Sequence, residues 1–412
     1  MRIVVIGAGV VGLACARALV HDGHAVRVVE RALAGDRTSF GNAGGLAVSE
    51  IAPASAPGLW KNVPRWLVDP LGPLSIRPGH ALRLLPWLRR FLASGTPAEI
   101  ARISAANAAL NRRVYDDILP LLADVGLSGD LRRDGALTLY ESEEGFEAER
   151  TDWERRAAHG FPHEVLSREE ARAMEPALSP RIARAVFDPA WGIVADPRRI
   201  VEGLEAWLRA KEVAFHEAEA VAIEPKLDRV SVALGDGTTG DADLVVVAAG
   251  AWSARLAASV GDPVLLESER GYNVTIPRPN IALARQLVFA ERKFVATPLA
   301  PGLRIGGAAE FAGLDAPARL DRADALARLA RVYLRDLDTR GGTRWMGQRP
   351  STPDGLPVIG WSPGKGRVIY AFGHGHLGLT QAATTGRLVA GLLTGDTAGV
   401  DMTPYAISRF AR

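Results

Sequence analysis

The chain has 412 residues, 48% of them hydrophobic and 23% charged, which is too long for one small core and too apolar for a disordered chain, so about two domains are expected. Its 49 basic and 47 acidic residues leave a formal charge of +2, giving no field for nucleic acid. One cysteine excludes an internal disulfide and any multi-cysteine zinc or iron–sulfur site, and it suits a reducing, cytoplasmic setting.

The apolar run from Met1 to Val20, with Leu13-Ala14-Cys15 inside it, has the outline of a secretory leader, but Gly7, Gly9 and Gly12 interrupt it. No stretch reaches the roughly 18 uninterrupted apolar residues of a membrane span. The run makes better sense as a βαβ unit: a strand at 2–6, a turn at Gly7-x-Gly9-x-x-Gly12, a helix over 13–22 closed by Gly23, and a strand at 25–29 that ends on Glu30. In such a unit Gly7 makes the tight turn, Gly9 admits a pyrophosphate against bare backbone, and Gly12 lets the helix pack close to the strand. The phosphates then meet the free N–H groups of the helix N-terminus, with Val10 and Val11 of the turn among the residues expected at the cofactor. Glu30 is placed to accept hydrogen bonds from the adenosine ribose, and its charge disfavours a 2′-phosphate.

Residues 60–95 are rich in Pro, Trp and Arg. Between Gly58 and Gly95 lie Lys61, Arg65, Arg77, Arg83, Arg89 and Arg90 against one acid, Asp69, with Trp60, Trp66 and Trp87 among them. Basic and aromatic residues on an amphipathic stretch suit the surface of a membrane; a helix packed on its own domain with solvated arginines is the competing expectation. Residues 96–125 read as one long helix, with Ile100, Ile103, Leu110, Val114 and Ile118 at helical spacing. A strand is expected at 135–140. Asp196-Pro197 opens a helix over 199–210, and a third parallel strand follows at 213–216. Segments 230–234 and 244–247, with a turn at Asp236-Gly237, read as a β-meander. Antiparallel strands are expected at 265–276, 286–297 and 303–307, then an amphipathic helix at 321–337.

Near the C-terminus a strand at 367–372 leads into Gly373-His-Gly375-His-Leu-Gly378 and a helix over about 379–393. Too little chain follows for a second dinucleotide unit. This helix start is therefore expected to face a ligand already held by Gly7 to Gly12. A reduced flavin is anionic along its N1–C2=O edge and profits from a helix N-terminus there, whereas reduced nicotinamide is neutral. FAD is thus favoured over NAD. His374 and His376 have the spacing of two metal ligands, but no carboxylate or cysteine joins them locally, so no metal is expected.

These residues together carry a resemblance. Gly7-Ala-Gly-Val-Val-Gly12 with Glu30, Thr38-Ser-Phe-Gly-Asn-Ala-Gly-Gly45, Ala248-Ala-Gly-Ala-Trp-Ser253, Arg270-Gly-Tyr272, Gly347-Gln-Arg349-Pro-Ser-Thr-Pro-Asp-Gly-Leu-Pro357 and Gly373 to Thr380 occur in the order found in the D-amino acid oxidase-type FAD-dependent oxidoreductases. The chain resembles that family over essentially its whole length, and within it the bacterial D-amino acid dehydrogenases.

The resemblance implies an α/β plus α+β fold: a Rossmann-like FAD-binding domain from residues 1–50, 196–262 and 350–412, interleaved with an antiparallel-sheet substrate-binding domain from 51–195 and 263–349. Around the flavin it places Thr38, Ser39, Asn42, Ala43, Gly44 and Gly45, with Ser39 near the pyrophosphate. Arg31 belongs beside Glu30 at the nucleotide, Val221 at the adenine, and Ala249, Gly250 and Trp252 in the loop passing the nucleotide. Gly375, His376, Leu377, Gly378, Leu379 and Thr380 belong at the ring's pyrimidine edge. Arg349 matches the arginine that grips the substrate carboxylate, for which a planar bidentate fork is suited and lysine is not; a structural arginine at a strand end is the plain alternative. Tyr272 matches a tyrosine that caps the same carboxylate, and His376 a substrate-side position. Glu269 departs from the pattern, which has an uncharged residue there; it is either a surface carboxylate or a contact to a substituted substrate such as a hydroxyproline ring.

The implied activity is oxidative deamination of a D-amino acid or D-proline analogue, by hydride transfer from Cα to the flavin, giving an imine and then a 2-oxo acid plus ammonia. The implied electron acceptor is a quinone or the respiratory chain. An oxygen-using oxidase and a flavin-carrying subunit of a larger complex are the alternatives. Cys15, in the first helix, is not placed for a bond to flavin, so FAD is expected to be non-covalent. The enzyme is expected in the cytoplasm; peripheral contact to the inner face of the membrane through 58–95 is the alternative to a helix packed on its own domain.

Overall fold

The structure is a computed structural model that describes residues 1–55, 63, 66, 69 and 72–411. Its first layer follows from apolar runs too continuous to face water on either side. Arg2–Ile6, Ala25–Glu30, Leu244–Val247 and Val368–Phe372 are rich in Val and Ile, and the last two are buried at every position. That is the pattern of parallel strands covered on both faces. With Ala214–Glu217 at one edge and Val358–Trp361 at the other, they form a six-stranded sheet, parallel except for that last strand.

The Val10–His21 helix covers one face, and the C-terminal Gly378–Thr394 helix packs against it. Leu13, Leu19, Leu204 and Leu388 are sealed in the core between them; burying one such side chain contributes about 1.5–3 kcal/mol. Because the first and last strands of this sheet flank Leu244–Val247, the two glycine loops that leave their C-terminal ends open on one side of the molecule.

The second large sheet is mainly antiparallel. Among the described residues its order is Thr343–Ser351, Glu267–Ile276, Gly302–Phe311, Phe294–Leu299, Gln286–Phe289, Ala136–Tyr140, Arg184–Asp188, Glu164–Ser167, with Leu74–Ile76 added alongside Gly302–Phe311. The Asp321–Tyr333 helix closes one face through Leu326, Leu329 and Tyr333.

Several elements differ from the sequence expectation. The stretch 96–125 is two helices, Pro97–Asn111 and Val114–Asp124, because at the junction Arg113 bonds back to Leu110 in a tighter three-residue turn. Leu244–Val247 is not the last meander strand. That place belongs to Thr239–Ala242, paired with Val230–Leu234, while the Leu-Val-Val-Val run sits parallel to Arg2–Ile6 in the central sheet. The stretch 286–297 is a hairpin, Gln286–Phe289 and Phe294–Leu299, turned through Lys293 at φ 54°. In the basic 58–95 segment, Trp60, Lys61 and Arg65 lie outside the described residues. Of the rest, Trp87 is buried against Phe91 and Phe311, and Arg77 pairs with Glu310. Both therefore turn inward, away from any membrane. Among the described residues no helix is long and apolar enough to cross one.

Candidate functional site

A cavity of about 1300 Å³ opens where the two glycine loops meet the large antiparallel sheet, larger than the roughly 300–1,000 Å³ that suits an ordinary small ligand. One end has the form of a dinucleotide cradle. Gly7 adopts φ +110°, and a Cβ there would lie 2.3 Å from the Ala248 carbonyl oxygen; on Gly12 it would lie 2.0 Å from the Gly7 oxygen. Only glycine gives a loop this close to its neighbouring strand. The helix that follows begins at Gly9 with no side-chain cap and no acid in its first turn. Its leading N–H groups are thus left for an anion, apart from Val10, which donates to the Ser39 hydroxyl at 3.0 Å. Glu30 receives N–H bonds from Ala8 (2.7 Å) and Ala32 (3.4 Å). The Arg31 guanidinium stacks on Trp252 at 3.4 Å, with half-exposed Val221 beside the same stretch of cavity. These features fit the adenosine diphosphate half of FAD.

Of the expected cofactor residues, Gly7, Gly9, Val10, Val11, Glu30, Arg31, Thr38, Ser39, Asn42, Ala43, Gly45, Val221, Ala249, Gly250, Trp252, Gly375, His376, Leu377, Gly378 and Leu379 line this one cavity. Three do not. Gly12 is the packing contact just described. Gly44 turns at φ +80° beneath Leu299. Thr380 is buried, and its hydroxyl accepts from Ala47 N at 3.1 Å, tying the last helix to the Gly45–Leu46 strand. Cys15 is buried in the first helix, and burial pushes its thiol up to about 12.

The other end of the cavity is built by the period-two alternation of two paired strands. Glu267–Ile276 and Thr343–Ser351 run antiparallel with Glu269 opposite Arg349 and Gly271 opposite Gly347. Glu269, Gly271 and Arg349 therefore share one face. The Arg349 guanidinium lies over Gly271 and donates to Glu269 Oε1 at 2.8 Å and to the Ala308 carbonyl at 3.2 Å. Ser351 Oγ donates to the second Glu269 oxygen at 2.9 Å. Burial pushes the Glu269 carboxyl up, but Arg349, His376 and the two hydrogen bonds outweigh it and hold the group below the usual carboxylate range. His376 is exposed into the cavity and makes no hydrogen bond among the described residues, whereas His374 is buried against Thr385, and burial pushes it down to about 3.

Tyr272 also borders the cavity, but the same alternation gives its side chain different partners from those of Glu269. One residue out of phase with Glu269, it faces the opposite side with Arg270. Its hydroxyl donates to Glu310 at 2.5 Å and accepts from Arg319 N at 3.1 Å, and the residue is 1% exposed. Burial, then the Glu310 bond, raise its phenol. The Tyr272 hydroxyl is thus engaged in a buried network with Glu310, Arg77 and Arg270. Tyr272→Phe is accordingly expected to cost stability, about 1–3 kcal/mol for the hydrogen bonds lost at a buried carboxylate, seen as a lower Tm, with KM for substrate unchanged. A KM change without a stability loss would restore the capping role.

The structure adds residues that no motif pointed to. Glu50, Trp191, Gln286 and Lys293 also line the cavity. Gln286 is buried and fills the space beside Gly45, its Oε1 without a partner among the described residues. None stands in a recognisable pattern; the tertiary fold brings them here, Gln286 from a strand and Glu50, Trp191 and Lys293 from the segments beside strands.

A family model described as FAD dependent oxidoreductase matches residues 2–392. A D-amino-acid oxidase of Bradyrhizobium diazoefficiens is 35% identical over 418 residues, covering 99% of each chain. A D-amino acid dehydrogenase of Rhizobium johnstonii is 31% identical over 424 residues and 100% of both chains. Among solved structures, glycine oxidase from Geobacillus kaustophilus superposes with a TM-score of 0.75 at 23% identity over 99% of both chains. L-proline dehydrogenase from P. horikoshii gives 0.77 at 19% identity, over 100% of this chain and 98% of that one.

Proposed function

Because the chain belongs to the FAD-dependent oxidoreductase family, and is an oxidoreductase that uses FAD, we propose that it oxidises a D-amino acid or D-imino acid at Cα. The observation that carries this reading is the state of Arg349. Its Nη1 is engaged by Glu269 and Ala308, while its Nε–Nη2 edge meets no side-chain acceptor among the described residues and has only the Gly307 carbonyl at 3.5 Å. That edge is the bidentate fork for a carboxylate, and Arg349 lines the same cavity as the dinucleotide cradle. The relatives named D-amino-acid oxidase and D-amino acid dehydrogenase supply the substrate class.

FAD, when bound, supplies the acceptor for the hydride that leaves Cα. Arg349, stiffened by Glu269 and Ser351, fixes the carboxylate so that the Cα–H has one direction to point, and positioning of this kind supplies much of the rate. The substrate amine must be neutral for its lone pair to form the C=N bond as the hydride leaves. The imine then takes up water to give a 2-oxo acid and ammonia, or stays cyclic for a proline analogue. Residues 1–50, 196–262 and 350–412 hold the cofactor, and 51–195 with 263–349 hold the substrate.

We take a quinone or another respiratory carrier as the electron acceptor. The Pro78–Ala93 helix leaves Leu82 81%, Leu85 53% and Leu92 51% exposed beside Arg83, Arg89 and Arg90, a surface suited to an anionic membrane face. The relative named an oxidase favours oxygen as a second reading. Anaerobic mixing with paired D- and L-amino acids tests both points. D-isomers are expected to bleach the flavin, and the reduced protein to be reoxidised faster by a soluble quinone than by oxygen. A flavin that dithionite bleaches but no amino acid does would overturn the assignment.

A further inference from the structure

Resting on the amino acid reading above, the geometry points to a substrate with a cationic side chain, a D-amino acid ending in an ammonium or guanidinium group that is received by Glu50. Glu50 lines the same cavity as Arg349 and keeps 32% of its side-chain surface. Its backbone is fixed from behind: Glu50 N donates to Ala47 O at 3.1 Å, and Asn111 Nδ2 donates to Glu50 O at 3.1 Å. The neighbouring Ile51 carbonyl accepts from buried Asn107. The carboxylate itself receives no hydrogen bond among the described residues. It forms a long ion pair with Arg156, at 3.7 Å, but that guanidinium is shared with Asp152, at 3.0 Å, and also feels Asp188.

The other charges of this region are already matched. Glu269 is consumed by Arg349 and Ser351, and the Lys293 ammonium is held by Glu149 at 3.0 Å. Arg349 is then left for the substrate's carboxylate and Glu50 for its far end. Trp191 strengthens the case from an independent direction. Its ring lines the cavity and is locked beside Glu50 by a bond from Nε1 to Ser49 Oγ at 2.7 Å, with Ser49 in turn bonded to Asp188. A fixed indole next to an unbonded carboxylate suits a cation, which gains from both. A neutral aliphatic side chain would further desolvate the Glu50 charge with only the shared Arg156 opposite it.

The test compares D-lysine and D-arginine with D-norleucine and D-glutamate, in the wild-type holoenzyme and in Glu50→Gln. The wild type is expected to prefer the cationic pair over D-norleucine by roughly 10- to 100-fold in kcat/KM, the value of a hydrogen-bonded charge contact, with D-glutamate poorest. Glu50→Gln is expected to remove that preference while flavin content and turnover of D-norleucine are kept. A wild type that reduces its flavin with D-norleucine as well as with D-lysine overturns this inference alone. So does a Glu50→Gln variant that loses all four substrates equally. Absence of reduction by any amino acid overturns the underlying assignment as well.

Discussion

Arg349→Ala is expected to raise KM for the amino acid by roughly 100- to 1,000-fold while the protein keeps its FAD. Two effects add. The bidentate contact to the substrate carboxylate is lost, and Glu269, now without its 2.8 Å partner, presents a bare negative charge to the incoming carboxylate. Unpaired charges of this kind cost about 3–5 kcal/mol. The flavin-to-protein ratio should hold, because the cradle at Gly7 to Gly12 belongs to a different sheet. The second effect separates from the first in a double variant. Adding Glu269→Gln to Arg349→Ala should recover part of the loss, a non-additivity expected only of residues in direct contact. Arg349→Lys should recover little, since one ammonium cannot hold Glu269, the Ala308 carbonyl and a ligand carboxylate in one plane. Steady-state kinetics with a flavin-bleaching assay reads all three, and an unchanged KM in Arg349→Ala would leave this residue as a structural arginine.

Gly7→Ala is expected to yield a protein without flavin and with a markedly lower Tm. The new methyl group would stand 2.3 Å from the Ala248 oxygen on a backbone at φ +110°. Both are resisted: the conformation costs about 1–3 kcal/mol and the overpacking a similar amount. The loop relieves the clash by moving away from the Leu244–Val247 strand, which widens the turn under the first helix and misdirects the N–H groups that meet the phosphates. Gly129→Ala is the control, since a Cβ there meets nothing within 4 Å, and it should change neither flavin content nor Tm. Equal flavin content in the two variants would remove the cradle from the cofactor site.

The residues legible in advance were those whose role is local. Gly7, Gly9 and Gly12 act within one turn and one helix, and the strand before them and the acid after them are adjacent in the chain, so spacing alone carries the information. The C-terminal Gly373 to Gly378 loop was legible for the same reason. Its meeting with the first loop depends on Leu244–Val247 lying between their strands, a placement that the local pattern assigned to a meander instead.

The substrate end behaves differently. Arg349 and Glu269 are separated by 80 positions in the chain, and their pairing comes from the register of two strands. Tyr272 shows how sharp that dependence is. A motif that names Arg270-Gly-Tyr272 does not say which face each side chain takes, and a single step along a strand is enough to commit the Tyr272 hydroxyl to a buried bond with Glu310. Glu50 stands in no motif, because what distinguishes it is a carboxylate that lines the cavity with no hydrogen bond among the described residues and only a long ion pair to Arg156, a property of its surroundings.

By itself the sequence determined the dinucleotide cradle, because a Gly-x-Gly-x-x-Gly turn between a strand and a helix carries its ligand chemistry within about thirty residues, and six motifs in order carried the family and its FAD. Only the tertiary structure decided which charges in the substrate end cancel and which remain. An ion pair is made by distance in space, and side-chain facing by strand parity and register, neither of which is written in the neighbouring residues.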